Sequence, residues 1–280
     1  MINYNGNLTE NTNISLEQNR GFLYGDAVFE TLKVVDGKIL FAEDHYFRLM
    51  ASMRIVRMEI PMYFTMEYME EQVKNLANAL NISASCRARL TFFRKSGGFY
   101  LPTTNDSEFI ITAETLQEPL YSFTENSTYE VDLFKDFYVT KQLLSTIKST
   151  NKMVQITGSI FAHENGLDNC LLINDEKNVI EALQGNIFML KDKKLVTPPV
   201  TDGCLNGIMR KQVLAIARKT EGLEVTEESI SPFELQKADE IFITNVIKGI
   251  QPITKYRKKE YGNTLANELI KKLNVFIRLG

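Results

Sequence analysis

The sequence predicts an α+β protein of two modest domains. Three observations carry this: 280 residues with 44% hydrophobic and 24% charged content, a first half in which strand-like and helix-like periodicities alternate, and a second half that repeats such a mixture beyond a proline-containing break. Disorder, collagen and small disulfide scaffolds do not fit that composition.

The elements follow in chain order. Ala27 to Val35 is rich in β-branched and aromatic residues, and Asp36-Gly37 before Ile39 to Phe41 predicts a hairpin. Apolar residues recur at helical spacing from Glu43 to about Val56 (Tyr46, Phe47, Leu49, Met50, Met53) and from Met66 to about Leu80 (Met69, Val73, Leu76), so two helices are expected. Arg87 to Arg94 and Glu108 to Glu114 predict strands around the Gly97-Gly98 turn. Gln117 to Thr124, containing Pro119, predicts a linker, which gives domains over 1–116 and 125–280.

In the second half, Tyr129 to Phe134 and Phe137 to Leu143 predict strands, and Met153 to His163 a helix. Three short strands are expected at Asn169 to Ile173, Val179 to Leu183 and Asn186 to Leu190, separated by Asn174-Asp175-Glu176-Lys177 and Gln184-Gly185. Strict alternation would put Glu181 on the same face as Val179 and Leu183, which is not the obvious place for a water-facing glutamate. Gly207 opens a helix reaching about Thr220, Ser231-Pro232-Phe233-Glu234 is a capping box, and Glu240 to Asn245 returns as a strand. Lys255 to Glu260 reads as a solvated turn.

Charge and special residues narrow the function. Thirty-two Lys and Arg against 35 Asp and Glu leave a net charge of -3, so no basic excess exists for nucleic acid or an anionic membrane, and a small-molecule partner is the default. Cys86, Cys170 and Cys204 are far apart and odd in number, which suits a reducing compartment and fits no metal spacing. With only His45 and His163, no zinc site is expected, and neither histidine is given a role. The polar N-terminus and the lack of a long apolar run lead to the expectation of a cytoplasmic protein without a membrane span.

Several segments then converge. Arg20-Gly-Phe-Leu-Tyr-Gly-Asp26 with Ala27 to Thr31, His45-Tyr-Phe-Arg48, Ile147-Lys148-Ser-Thr-Asn151, Val179-Ile-Glu181 with Asn186-Ile-Phe188, Asn206-Gly-Ile-Met-Arg210 and the block from Ala238 to Pro252 stand in one order. Together they resemble the class IV aminotransferases, the fold-type IV pyridoxal 5'-phosphate (PLP) enzymes, over roughly residues 20 to 253. The resemblance implies a two-domain, D-amino acid aminotransferase-like fold. It also implies PLP in the cleft between the domains, and a homodimer whose partner closes the pocket.

The resemblance further implies roles. Lys148 matches the lysine that holds PLP as a Schiff base and then moves the substrate's α-proton, work that requires a neutral amine. Glu181 matches the carboxylate that pairs with the pyridine nitrogen and keeps it protonated. Arg48, the helix start at Gly207, Ile208 and Met209, and the turn at Thr244 and Asn245 match the phosphate contacts. Tyr24 and Tyr100 are substrate-pocket candidates by position. Without the resemblance, Lys148 would be a solvated lysine at a strand end and Arg48 one cation on an amphipathic helix. Gly207, Thr244 and Asn245 would be ordinary punctuation, and the tyrosines aromatics on a core face.

The resemblance leaves three reactions open: branched-chain aminotransferase, D-amino acid aminotransferase and 4-amino-4-deoxychorismate lyase, which releases pyruvate and 4-aminobenzoate for folate synthesis. Lys148-Ser-Thr-Asn151-Lys152, Asn206-Gly-Ile-Met-Arg210 and Thr244-Asn245 are more similar to the lyase pattern. Phe99 stands where D-amino acid enzymes and many lyases carry a second arginine, which removes a bidentate carboxylate clamp; this argues against D-amino acid transamination and counts against the lyase for a dicarboxylate substrate. The reading leans to the lyase, with a branched-chain type aminotransferase ahead of a D-amino acid one. A non-catalytic binding protein is the third class, and the presence of both Lys148 and Glu181 argues against it.

Overall fold

The computed structural model describes residues 1–123 and 128–279. It divides into two compact units, Met1–Pro119 with Ile147–Asn151, and Leu120–Thr146 with Lys152–Gly280. Thr124, at the end of the expected linker, and residue 125, the expected start of the second domain, lie outside the described residues. One assignment is corrected: the segment carrying Lys148, expected with the C-terminal domain, belongs to the first unit.

The first unit is a six-stranded antiparallel sheet with helices. It comprises β1 (Ile2–Tyr4), β2 (Asn7–Thr9), α1 (Arg20–Tyr24), β3 (Ala27–Val35), β4 (Lys38–Ile39), α2 (Ala42–Ile55), α3 (Met66–Ala79), β5 (Ser85–Arg94) and β6 (Ser107–Thr115). The sheet order is β2-β1-β6-β5-β3-β4. Alternation sends Val28, Leu32 and Val34 of β3 and Ala88, Leu90 and Phe92 of β5 to one face, where they meet Leu49, Met50 and Met53 of α2 and Met69, Val73 and Leu76 of α3 in a single core. Each fully buried large side chain there contributes roughly 2 kcal/mol. The hairpin forms through Asp36 and Gly37, both at positive φ, but β4 is only two residues long. Phe41 turns to φ 57° and starts α2, so the predicted strand through Phe41 is cut short.

The physical reason for the Lys148 correction lies in β3. Its length pairs with β5 on one side, whereas β4 covers only Val34 and Val35 on the other. The open edge near Val28 is met by the incoming segment: Phe29 N donates to Lys148 O at 2.8 Å, Thr150 N to Ala27 O at 3.0 Å, and Ser149 bridges Val28. Ile147 is buried in the same core. Backbone groups on an edge strand demand partners, and this segment supplies them.

The second unit contains β7 (Glu130–Val139), α4 (Met153–Glu164), β8 (Asn169–Asn174), β9 (Val179–Ala182), β10 (Gly185–Lys191), β11 (Lys194–Thr197), α5 (Ile208–Ala217), β12 (Glu224–Glu227), α6 (Pro232–Leu235), β13 (Glu240–Asn245), β14 (Gly249–Ile253), β15 (Lys255–Tyr256), β16 (Lys259–Glu260) and α7 (Thr264–Leu279). Its sheet runs β12-β11-β10-β9-β8-β7-β15-β16, with β13 paired to β10 and β14 to β13. The two strands expected over 129–143 are one strand, β7, with an irregular register between Phe134 and Val139, followed by a 3-10 turn at Leu143–Thr146. The expected turn at 255–260 is the β15–β16 hairpin.

At β9 the alternation argument fails in part. Val179 pairs with Ile173 and Glu181 with the adjacent Leu172, so Ile180 is an extra, bulged residue. Val179 therefore packs in one core with Ile173 and Ala182, while Ile180 and Leu183 pack with Leu172 and Cys204 in another. Glu181, paired with Leu172, shares a face with Leu183 but not with Val179.

A further polar lock holds the end of the chain. Glu240, buried at the start of β13, accepts Leu265 N at 2.9 Å and Ala266 N at 3.2 Å, satisfying two otherwise open amides at the first turn of α7. Glu240→Ala is expected to lower the unfolding free energy by about 2 kcal/mol, read from urea denaturation at neutral pH.

Candidate active site

In the first unit a buried charge cluster sits beneath the sheet. Glu30 follows Val28 and precedes Leu32 in the alternation, so its carboxylate points into the core side, toward α2. Arg48 of α2 grips it with two bonds, Nε to Oε1 at 2.8 Å and Nη2 to Oε2 at 2.5 Å, and His45 Nδ1 lies 2.7 Å from Oε2. Burial pushes the Glu30 pKa up, but Arg48 and His45 outweigh it and hold it down at about 2. Burial pushes the His45 pKa down, against the pull of Glu30. The His45 Nε2 is buried without a hydrogen-bond partner.

Lys148 belongs to the same neighbourhood. Its charge acts on His45 along with that of Arg48, and its Nζ lies 4.8 Å from the centroid of the Phe29 ring. The lysine is half-buried rather than solvated at a strand end. Thus Lys148 and Arg48, 100 residues apart in sequence, are brought into one electrostatic cluster. Glu30 and His45 were missed by sequence reasoning. The available signal was Glu30 itself, an acidic residue on the apolar face of an alternating strand.

The depressed pKa of Glu30 carries a sign. Its ionised form contributes stability above the ordinary carboxylate value of 4.5, and that contribution is lost as pH falls from there through about 2. Urea denaturation at a series of pH values should show stability declining across this window, and Glu30→Gln should flatten that decline.

Tyr24 and Tyr100 also come together, with ring centroids 5.9 Å apart. The contact is organised by buried Arg20, whose guanidinium lies 5.1 Å from the Tyr24 ring and whose Nη1 donates to the carbonyls of Gly97, Gly98 and Phe99 at 3.1, 3.3 and 2.5 Å. Arg20 is in turn held by Asp26 at 2.9 Å, which also binds Arg94 at 2.9 Å. The two tyrosines are surface groups, Tyr100 being 91% exposed, and not aromatics on a core face.

In the second unit a polar row crosses three adjacent strands. Asn186 of β10 pairs with Glu181 of β9 on one side and Thr244 of β13 on the other, so all three side chains share one face of the sheet. Glu181 and Thr244 are both buried. Glu181 Oε2 accepts Leu205 N at 2.8 Å, and Asn186 Nδ2 donates to Leu205 O at 2.8 Å. Burial and the Glu181 carboxylate push the neighbouring Cys204 thiol up to about 12, which leaves it protonated and inert.

The row ends at an anion-receptive helix start. Gly207 is the N-cap of α5 and gives no side-chain cap, so the amides of the first turn, at Ile208 and Met209, are left for another acceptor. A Cβ on Gly207 would collide with Asn186 Oδ1, so the glycine is required by close packing. The Thr244 hydroxyl is buried with no hydrogen-bond partner. Asn245 also builds the turn: its Oδ1 accepts Ile247 N at 3.0 Å and Lys248 N at 2.9 Å. In the sequence Asn186 is only one member of the Asn186-Ile187-Phe188 motif, and its contacts come from the fold.

The family model described as amino-transferase class IV matches residues 27–256. A Methanocaldococcus jannaschii protein provisionally named a branched-chain-amino-acid aminotransferase is 31% identical, covering 90% of this chain and 86% of its own length. D-alanine aminotransferase of Bacillus licheniformis is 25% identical over 98% of this chain and 95% of its own. Among solved structures, the Escherichia coli branched-chain amino acid aminotransferase has the same fold, with TM-score 0.85, 21% identity and coverage of 97% and 92%. So does 4-amino-4-deoxychorismate lyase from Pseudomonas aeruginosa, with TM-score 0.82, 22% identity and 98% of each chain. With a family model spanning most of its length and a relative above 30% identity, this chain belongs to the class IV aminotransferase family.

Proposed function

We propose that the protein is a PLP-dependent enzyme acting on an amino-acid-type substrate, with Lys148 as the residue that bonds the cofactor. The observation that carries this is the row Glu181, Asn186, Thr244 leading to the start of α5. It sets a carboxylate and an anion cradle on one face of a sheet, as a molecule with a basic ring nitrogen and a phosphate requires. The buried, unpartnered Thr244 hydroxyl and the open first turn of α5 fit a phosphate, and Glu181 fits the ring nitrogen. When bound, PLP supplies an electron sink for the bond-breaking at the substrate's α-carbon.

The chain's own residues do the rest. Lys148 would hold the cofactor through its Nζ and would carry a proton to and from the substrate's α-carbon. In the second unit the α5 amides at Ile208 and Met209 and the Thr244 hydroxyl would be the phosphate's donors, and in the first unit Arg48, fixed by Glu30, is the candidate cation for it. Asn245 contributes by shaping the turn behind Thr244. Tyr24 and Tyr100 line the substrate's approach.

For the reaction itself we favour release of pyruvate from 4-amino-4-deoxychorismate, on the Lys148 to Asn151 spacing. Asn151 Oδ1 would collide with any Cβ on Gly25, so that asparagine is built into the loop beside Tyr24. Phe99 is 83% exposed, and its backbone carbonyl is bound by Arg20, so this loop brings no arginine clamp at position 99. A second reading, a branched-chain type aminotransferase, is supported by the similarity to the Methanocaldococcus protein. Purified protein is to be mixed with 4-amino-4-deoxychorismate and, separately, with an amino-acid panel and 2-oxoglutarate. Pyruvate with 4-aminobenzoate from the first supports the lyase; glutamate from the second supports the aminotransferase.

A homodimer is part of the proposal. Met153, Ile156 and Ile160 on one face of α4 are 51–69% exposed, an apolar patch of the kind a subunit interface covers. Sedimentation at micromolar concentration should give a dimer. A cytoplasmic location is supported by the three free, buried cysteines. Among the described residues no helix is long and apolar enough to cross a membrane, and no metal-binding cluster is found.

A further inference from the structure

We propose that Asn186 is a positioning residue that locks the peptide of Leu205 between Glu181 and the start of α5, so that the ring-nitrogen carboxylate and the phosphate-binding amides are held at one spacing. The inference rests on the PLP reading above and adds to it the means by which two distant parts of the cofactor would be gripped in register.

The argument begins with Leu205, two residues before the N-cap of α5. Both polar groups of that residue's backbone are taken: its N–H donates to Glu181 Oε2 at 2.8 Å, and its carbonyl accepts Asn186 Nδ2 at 2.8 Å. Glu181 and Asn186 are direct cross-strand partners on β9 and β10, so the two bonds rise from neighbouring points on a rigid sheet. The loop is thus pinned on both sides to the strand pair that carries the carboxylate.

The other end of the Asn186 amide reaches the helix. Asn186 Oδ1 occupies the place a Cβ of Gly207 would take, and Gly207 is the N-cap of α5. One side chain, 3% exposed, therefore fixes the loop by a hydrogen bond and seats the helix start by close packing. Glu181 is also constrained, because a carboxylate that accepts a backbone amide with one oxygen has its plane set. Supporting shells of this kind hold a site within the fraction of an ångström that binding needs.

The test is a double-mutant cycle on PLP affinity, measured by equilibrium titration of apoprotein. Asn186→Ala removes the lock, and Gly207→Ala pushes the Asn186 amide out of place. Each is expected to weaken PLP binding about tenfold. Because both act through one contact, the double variant should bind no more weakly than the worse single variant. Factors that multiply, or wild-type affinity in Asn186→Ala, would overturn the proposal. Hydrogen exchange of the wild-type apoprotein gives an independent arm should a variant not fold. The Leu205 amide should be protected to the level of the β9–β10 strands, and exchange at the rate of an exposed loop would equally overturn it. Absence of PLP binding by the wild-type protein with a protected Leu205 amide would instead reject the cofactor reading and leave the lock standing.

Discussion

Replacing Lys148 by alanine is expected to lower turnover by about three orders of magnitude or more while PLP still binds without a covalent bond. The side chain is both the attachment point and the proton carrier in the proposed chemistry, so one truncation removes two functions. The backbone at this position is not at risk, since it is the Lys148 carbonyl that bonds Phe29 N and Ser149 that bridges Val28. In the proposed reading Thr244 and the start of α5 would still hold the phosphate. The check is single-turnover kinetics on PLP-loaded protein together with a thermal melt; unchanged turnover in a folded, loaded variant would refute the role.

The second large effect is expected at Glu181. Glu181→Gln keeps size and an oxygen for the Leu205 amide, so the loop and β9 should stay in place. It removes the negative charge that would keep the pyridine nitrogen protonated, and with it the strength of the electron sink. Turnover should fall by about 100-fold or more, whereas PLP affinity should change less than about tenfold. Comparing kcat with the PLP dissociation constant separates this from loss of the fold. A variant with near-normal turnover would sink the assignment and the register across Val179 to Phe188.

What could be read from the sequence depended on how local its cause was. β3, α2, α3 and the capping box at Ser231 follow from alternation, helical spacing and cap chemistry within a few residues, and the structure has them close to the expected places. The bulge at Ile180 has no such local mark, because Val, Ile, Glu and Ala can all sit in an even strand. Only the register against β8 reveals that Glu181 turns away from Val179. Likewise, the membership of Ile147–Asn151 in the first unit depends on an edge of β3 left open more than 100 residues earlier. β1 and β2 are short and asparagine-rich and carry no pattern, whereas α7 has a local signal in Leu265, Leu269, Ile270 and Leu273 at helical spacing. At the candidate site, Lys148, Arg48, Glu181 and Thr244 came from motif resemblance, while Glu30, His45 and Asn186 act through contacts between elements.

The central claim is that Lys148 is the residue to which PLP bonds. Incubating the holoprotein with borohydride and mapping its peptides by mass spectrometry tests it most directly. The account predicts a single reduced pyridoxyl group on Lys148, and a group found on Lys141, on Lys152 or on no lysine would contradict it.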